Sequence, residues 1–129
     1  MLIDLTPELQ QKLKTILAKV AEDIGLDALA IFTRDGRNLA YWAKQEKVDP
    51  DLLSATTAAM LNIGEQTIQK LEKGDLWEVI VKGSRGYVIM TRAGRSLLLT
   101  GEGVQEGNLN LVIKLLREAG RSIATILAT

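Results

Sequence analysis

The sequence predicts one α/β (α+β) domain, and three observations carry that reading. Three stretches repeat apolar residues at spacings of three and four between start and stop signals, as amphipathic helices do. Five short segments rich in apolar and aromatic residues lie between them, joined by turns that contain glycine. One of these segments, Leu97-Leu98-Leu99, is uninterrupted, as expected of a strand covered on both faces. The order is helix, two strands, helix, three strands, helix, with no repeat, low-complexity tract or linker across residues 1–129.

Thr6-Pro7-Glu8 opens the first helix: threonine caps a free N–H, proline fits the first helical position, and glutamate complements the positive dipole end. Leu9, Leu13, Ile16, Leu17, Val20 and Ile24 mark its buried face, and Gly25 accepts the left-handed conformation that closes it. Residues 28–33 and 39–43 are strands one and two, turned by Arg34-Asp35-Gly36-Arg37, where Asp-Gly supplies a positive φ. Val48-Asp49-Pro50 repeats the start signal, and a second, long helix runs to Lys73 before Gly74. Residues 76–82 and 87–91 form a hairpin about Gly83-Ser84-Arg85-Gly86. A turn at Ala93-Gly94 leads into strand five at 96–100, which belongs at the centre of the sheet. Gly101, Gly103 and Gly107 punctuate a connection ending at Asn108. That residue caps a third helix, which carries Leu109, Val112, Leu115, Leu116, Ala119, Ile123 and Ile126 at helical spacing.

Bulk composition narrows the function. A chain of 129 residues, 47% of them hydrophobic, suits one core burying roughly two-thirds of the unfolded surface. Lys+Arg and Asp+Glu both number 16, so no net field draws nucleic acid or an anionic membrane. Cys and His are both absent, which removes disulfides, thiolate nucleophiles, His bases and the usual zinc ligands. A non-catalytic protein without cofactor or metal is expected. Met1-Leu2-Ile3-Asp4-Leu5 lacks a secretory pattern and no apolar run reaches the ~20 residues of a bilayer span, so a cytoplasmic protein with no membrane insertion is expected.

The glycine-punctuated segment 101–107 lacks the Gly-Lys-Ser/Thr ending of a phosphate loop and carries two glutamates, so it reads as a plain connection. Asp49 with Asp51, and Glu72 with Asp75, lie at helix ends, where capping and solvation explain them better than acid/base chemistry. Helix two carries two adjacent stripes: Leu52, Thr56, Ala59, Ile63 and Thr67 on one, Leu53, Thr57, Met60, Gly64, Ile68 and Leu71 on the other. A sheet face needs only one stripe about 100° wide, so the surplus asks for a second partner. Trp42, near a strand end, fits either a partner anchor or the core.

This order of elements, with the segment from Ala28 to Ala40 that ends its first strand before Asp35-Gly36, resembles the roadblock/dynein light chain family, MglB-type prokaryotic members included. The Ala- and Thr-rich helix from Asp49, Gly74-Asp75-Leu76 before strand three, and Leu97-Leu98-Leu99 also carry the likeness. Asn108-Leu109-Asn110 departs from the Asn-x-Gly pattern that often opens the last helix in such proteins. The resemblance implies a roadblock/profilin-like fold: a five-stranded antiparallel sheet of order 2-1-5-4-3, with helix two on one face and helices one and three on the other. It implies dimerisation through strand three and helix two, which places Met60, Ile63, Gly64, Thr67, Trp77, Val79 and Val81 at a dimer interface. It also implies a homodimeric platform that binds and regulates a Ras-like small GTPase; the alternative is a structural adaptor subunit of a motor, scaffold or membrane-associated complex. A carboxylate-based hydrolase is a distant third. In the implied strand order, Arg34, Arg37, Arg92 and Arg95 flank turns at one end of the sheet. Arginines at hairpin tips usually keep turns solvated; the sharper reading makes them a partner-binding cluster, with Trp42 as a possible companion.

Overall fold

The computed structural model describes residues 5–45, 49–104 and 108–128. Val48 of the second start signal, Gly107 of the last connection and the opening residues 1–4 lie outside the described residues. The elements are α1 (Pro7–Ile24), β1 (Ala28–Thr33), β2 (Asn38–Ala43), α2 (Pro50–Lys70), β3 (Glu78–Gly83), β4 (Gly86–Ala93), β5 (Leu97–Gly103) and α3 (Leu109–Ile126). One antiparallel sheet has the order β2-β1-β5-β4-β3, with β5 at its centre as expected.

The helix starts are those the sequence marks. The Thr6 hydroxyl accepts from the Leu9 N–H at 3.1 Å, Asp49 Oδ1 accepts from Asp51 N–H at 2.9 Å, and Asn108 Oδ1 accepts from Asn110 N–H at 3.0 Å. Asn108 therefore caps α3 without the glycine of the usual family pattern. The end of α2 differs from expectation, stopping at Lys70 instead of Lys73. Glu72, at φ 55, takes the left-handed position, so that its N–H reaches Gln69 O at 3.1 Å and the Lys73 N–H reaches Ile68 O at 2.9 Å. These two bonds satisfy the last carbonyls one turn before Gly74, and they offset the cost of about 1–2 kcal/mol for a non-glycine residue there.

Strand five also differs, because Gly101 and Gly103 belong to β5 and not to the connection after it. Backbone pairing with β1 and β4, through Leu29↔Gly101 and Tyr87↔Gly103, outweighs the poor strand preference of glycine.

The pleat sends alternate residues to two cores. Leu29 and Ile31 of β1, Ile89 of β4, and Leu97 and Leu99 of β5 meet Leu13 and Leu17 of α1 and Leu116 and Ile123 of α3, all essentially inaccessible to water. On the other face Ala30, Phe32, Met90 and Leu98 meet Leu53 and Met60 of α2, joined by Leu76. Thr57 of α2 is fully buried, its hydroxyl 2.8 Å from Leu53 O and 3.0 Å from the hydroxyl of Thr100, also fully buried, on β5. No buried polar side-chain atom is left unpaired among the described residues. No helix among the described residues is long and apolar enough to cross a membrane.

Candidate functional site

Two surfaces carry the residues singled out from the sequence. The first is formed by α2 and β3. The two stripes of α2 separate here: Leu53, Thr57 and Met60 are buried on the sheet, while Ile63 is 66% exposed and Leu52 64%. Ala59 and Thr67 are exposed beside Ile63, and the Thr67 hydroxyl donates back to Ile63 O at 2.8 Å. A Cβ at Gly64 would stand 2.8 Å from Leu76 Cδ2 and 2.9 Å from Val79 Cγ2, so the missing side chain is what lets α2 approach β3. Val79 is partly buried against the α2 core, while Val81 and Ile80 are exposed on the edge strand.

Of the seven residues expected at a dimer interface, Met60, Gly64 and Val79 thus pack within the chain. Ile63, Thr67, Trp77 and Val81 face outward. Trp42 is half-buried and packs against the core between the sheet and α1 and α3.

The second surface is basic. The β1–β2 and β4–β5 turns do lie side by side, with the Arg34 N–H on Ser96 O at 3.2 Å. Their arginines nevertheless separate. Arg34 reaches Glu65 of α2 at 2.6 Å, and Arg37 stays exposed in its own turn. Arg92 and Arg95 instead share a cleft of about 610 Å³ with Arg117 and Arg121 of α3. The last two arginines escape sequence reasoning, although their positions outside the apolar spacing of α3 mark them as outward-facing.

Close packing builds this cleft. A Cβ at Gly120 would come within 3.0 Å of Arg92 O, so glycine there lets α3 settle onto β4 with Arg117 and Arg121 on either side. Arg117 forks onto Glu78, Nε to Oε2 at 2.5 Å and a terminal nitrogen to Oε1 at 2.6 Å, and the Thr91 hydroxyl donates to Oε2 at 3.0 Å. The Arg117 hydrogen bond holds the Glu78 carboxyl below its ordinary range; burial opposes this, and Thr91 reinforces it. Trp77, 68% exposed, lines the same cleft, and the Arg92 guanidinium lies 5.1 Å from its ring centroid. That is within cation–π range. The carboxylate pairs stay at helix ends, where Asp49 caps α2 and Asp51, Glu72 and Asp75 are exposed.

A family model described as Roadblock/LC7 domain matches residues 12–101. No curated protein matches the chain in sequence. Among solved structures, an MglB with tetrameric arrangement aligns at TM-score 0.86 and 19% identity, covering 98% of this chain and 95% of that one. The gliding protein MglB from Thermus thermophilus aligns at 0.82 and 19%, covering 98% and 96%. Myxococcus xanthus MglB aligns at 0.80 and 15%, covering 89% and 94%. Likenesses at these identities speak for the fold, which is roadblock/profilin-like.

Proposed function

The chain belongs to the Roadblock/LC7 domain family, and from that premise we propose that it is a non-catalytic homodimeric platform in the cytoplasm that binds and regulates a Ras-like small GTPase. The observation that carries the reading is the outward stripe of α2, Leu52, Ala59, Ile63 and Thr67, beside an edge strand bearing exposed Ile80 and Val81. Exposed apolar surface of this kind on an edge strand invites pairing with a second chain. A second copy pairing β3 with β3 would extend the sheet and bring two α2 helices together, the small Ala59 and Thr67 allowing a close approach. Self-assembly is also what one similar structure, the MglB with tetrameric arrangement, is described as having.

Such a platform needs no catalytic group. It acts by holding one switch conformation of the GTPase more tightly than the other, and it shifts that equilibrium only by the difference in affinity.

Light scattering after size exclusion should give twice the 14.1 kDa chain mass. Ile63→Lys with Val81→Lys should give the single-chain mass with unchanged circular dichroism, because unpaired charges are tolerated in water and costly in an interface. A wild-type monomer at micromolar concentration overturns the homodimer. The GTPase is tested by capture from extract with the nucleotide state fixed: retention that differs between GDP and a GTP analogue supports regulation. Capture of a complex indifferent to nucleotide favours the adaptor reading.

A further inference from the structure

The arginine cleft lies where α3 crosses β4 beside the start of β3, and all its lining residues come from one chain. Four arginines against one glutamate, four minus one, leave it a net charge of +3 in a chain whose net charge is zero. Among the described residues, Glu78 neutralises Arg117 and no carboxylate pairs with the other three arginines. Arg95 and Arg121 have no carboxylate partner among the described residues, and Arg121 stands one helical turn from Arg117, a like-charge spacing that disfavours a helix. The Glu78 fork offsets the charge of Arg117 and so part of that repulsion, but it leaves the Arg121 guanidinium itself unpaired among the described residues. The Glu78–Arg117 fork shows the cleft already holding one carboxylate in two-point geometry, and the exposed Trp77 ring supplies an apolar wall beside it.

We propose that this cleft docks an acidic peptide segment of a partner protein, Arg95 and Arg121 taking its carboxylates and Trp77 an adjacent apolar side chain. Guanidinium forks match carboxylates in plane, and an aromatic flanked by arginine is the composition of binding hot spots. A recess suits a narrow chain better than a bilayer surface, which meets a flat or convex basic face. All lining residues come from one chain, but Trp77 and Glu78 adjoin the β3 edge proposed to pair with a second copy, so peptide binding is read beside the sizing of each variant.

The test uses the whole chain and a fluorescein-labelled peptide of alternating Glu and Leu, followed by anisotropy across a salt series. The expected result is binding that weakens with salt, is absent for the matched Gln-Leu peptide, and falls at least about tenfold in Arg95→Ser with Arg121→Ser. Both residues are exposed in the single chain, so sizing and circular dichroism should match wild type; Trp77→Ala should weaken binding by a comparable factor. Equal affinity for the Gln-Leu peptide, or wild-type affinity in the double variant, overturns the proposal. So does binding to phosphatidylserine vesicles that persists in excess acidic peptide, which would make the surface a membrane contact. Loss of dimer mass without loss of peptide binding would strike the homodimer alone.

Discussion

The two faces of the sheet are finished differently. On one, α1 and α3 lie side by side and bury Leu13, Leu17, Leu116 and Ile123 completely. On the other, α2 alone covers the strands, with Leu53, Met60 and the hydroxyl of Thr57 turned inward and Leu52, Ile63 and Leu71 left in water. The difference teaches where the chain is self-sufficient. Two helices close the first face with the protein's own side chains, whereas a single helix over a five-stranded sheet leaves an edge and an apolar stripe that further contact would cover.

Three measurements bear on that contrast, the largest effect first. Leu116→Ala, in the two-helix layer, should cost about 2–5 kcal/mol of chain stability by denaturant unfolding, the usual penalty of a cavity in a rigid core. A loss under about 1 kcal/mol would break the contrast, since that layer would then not be close-packed. Gly64→Leu tests the one-helix face. Overpacking against Leu76 and Val79 costs about 1–3 kcal/mol against a gain of about 1 kcal/mol in helix propensity, so a net change from about zero to a loss of about 2 kcal/mol is expected. A variant more stable than wild type would mean that α2 lifts freely from β3.

The smallest effect concerns Glu78, which joins β3 to α3. Its carboxyl is held below the ordinary Glu value of 4.5 in the folded chain, chiefly by Arg117, so its stabilisation is fully present above that value and is lost as pH falls through the folded one. Glu78→Gln should therefore be less stable than wild type near neutrality, with the gap closing in acid. Glu102, raised by burial and then by Asp27, runs the other way and favours folding as pH falls, so the difference between wild type and Glu78→Gln is the quantity to read. A gap that stays constant from neutral pH into acid would show that the fork contributes nothing to folding.

Local chemistry made most of the fold legible in the sequence. Thr6, Asp49 and Asn108 cap the helices they precede, and Asp35-Gly36 turns the first hairpin. Two boundaries moved for different reasons: α2 closes before Gly74 through local bonds, Glu72 N–H to Gln69 O and Lys73 N–H to Ile68 O, whereas β5 continues through two glycines because long-range pairing with β1 and β4 holds it. The two stripes of α2 could be listed from spacing, but which one faces the sheet depends on Phe32 and Leu98 lying beneath it. Alternation groups Val79 with Val81; the first is held by α2 and the second is not, because α2 ends its coverage between them. The basic cluster was half visible. Turn positions bring Arg92 and Arg95 together, but only the crossing of α3 over β4 at Gly120 adds Arg117 and Arg121, and no spacing rule reveals a crossing point.

The central place of β5 has a consequence in time. Strand β1 pairs with β2 almost as soon as both exist, yet its other neighbour, residues 97–103, is made about seventy residues later. At synthesis rates of ~5–20 residues per second the first hairpin, finished at Ala43, waits roughly 3–12 s for completion at Gly103 of the strand that joins the two halves of the sheet. Until then Phe32 and Leu29 have helices but no centre to pack on. Folding of this chain should be limited by that late, long-range closure and not by formation of its helices.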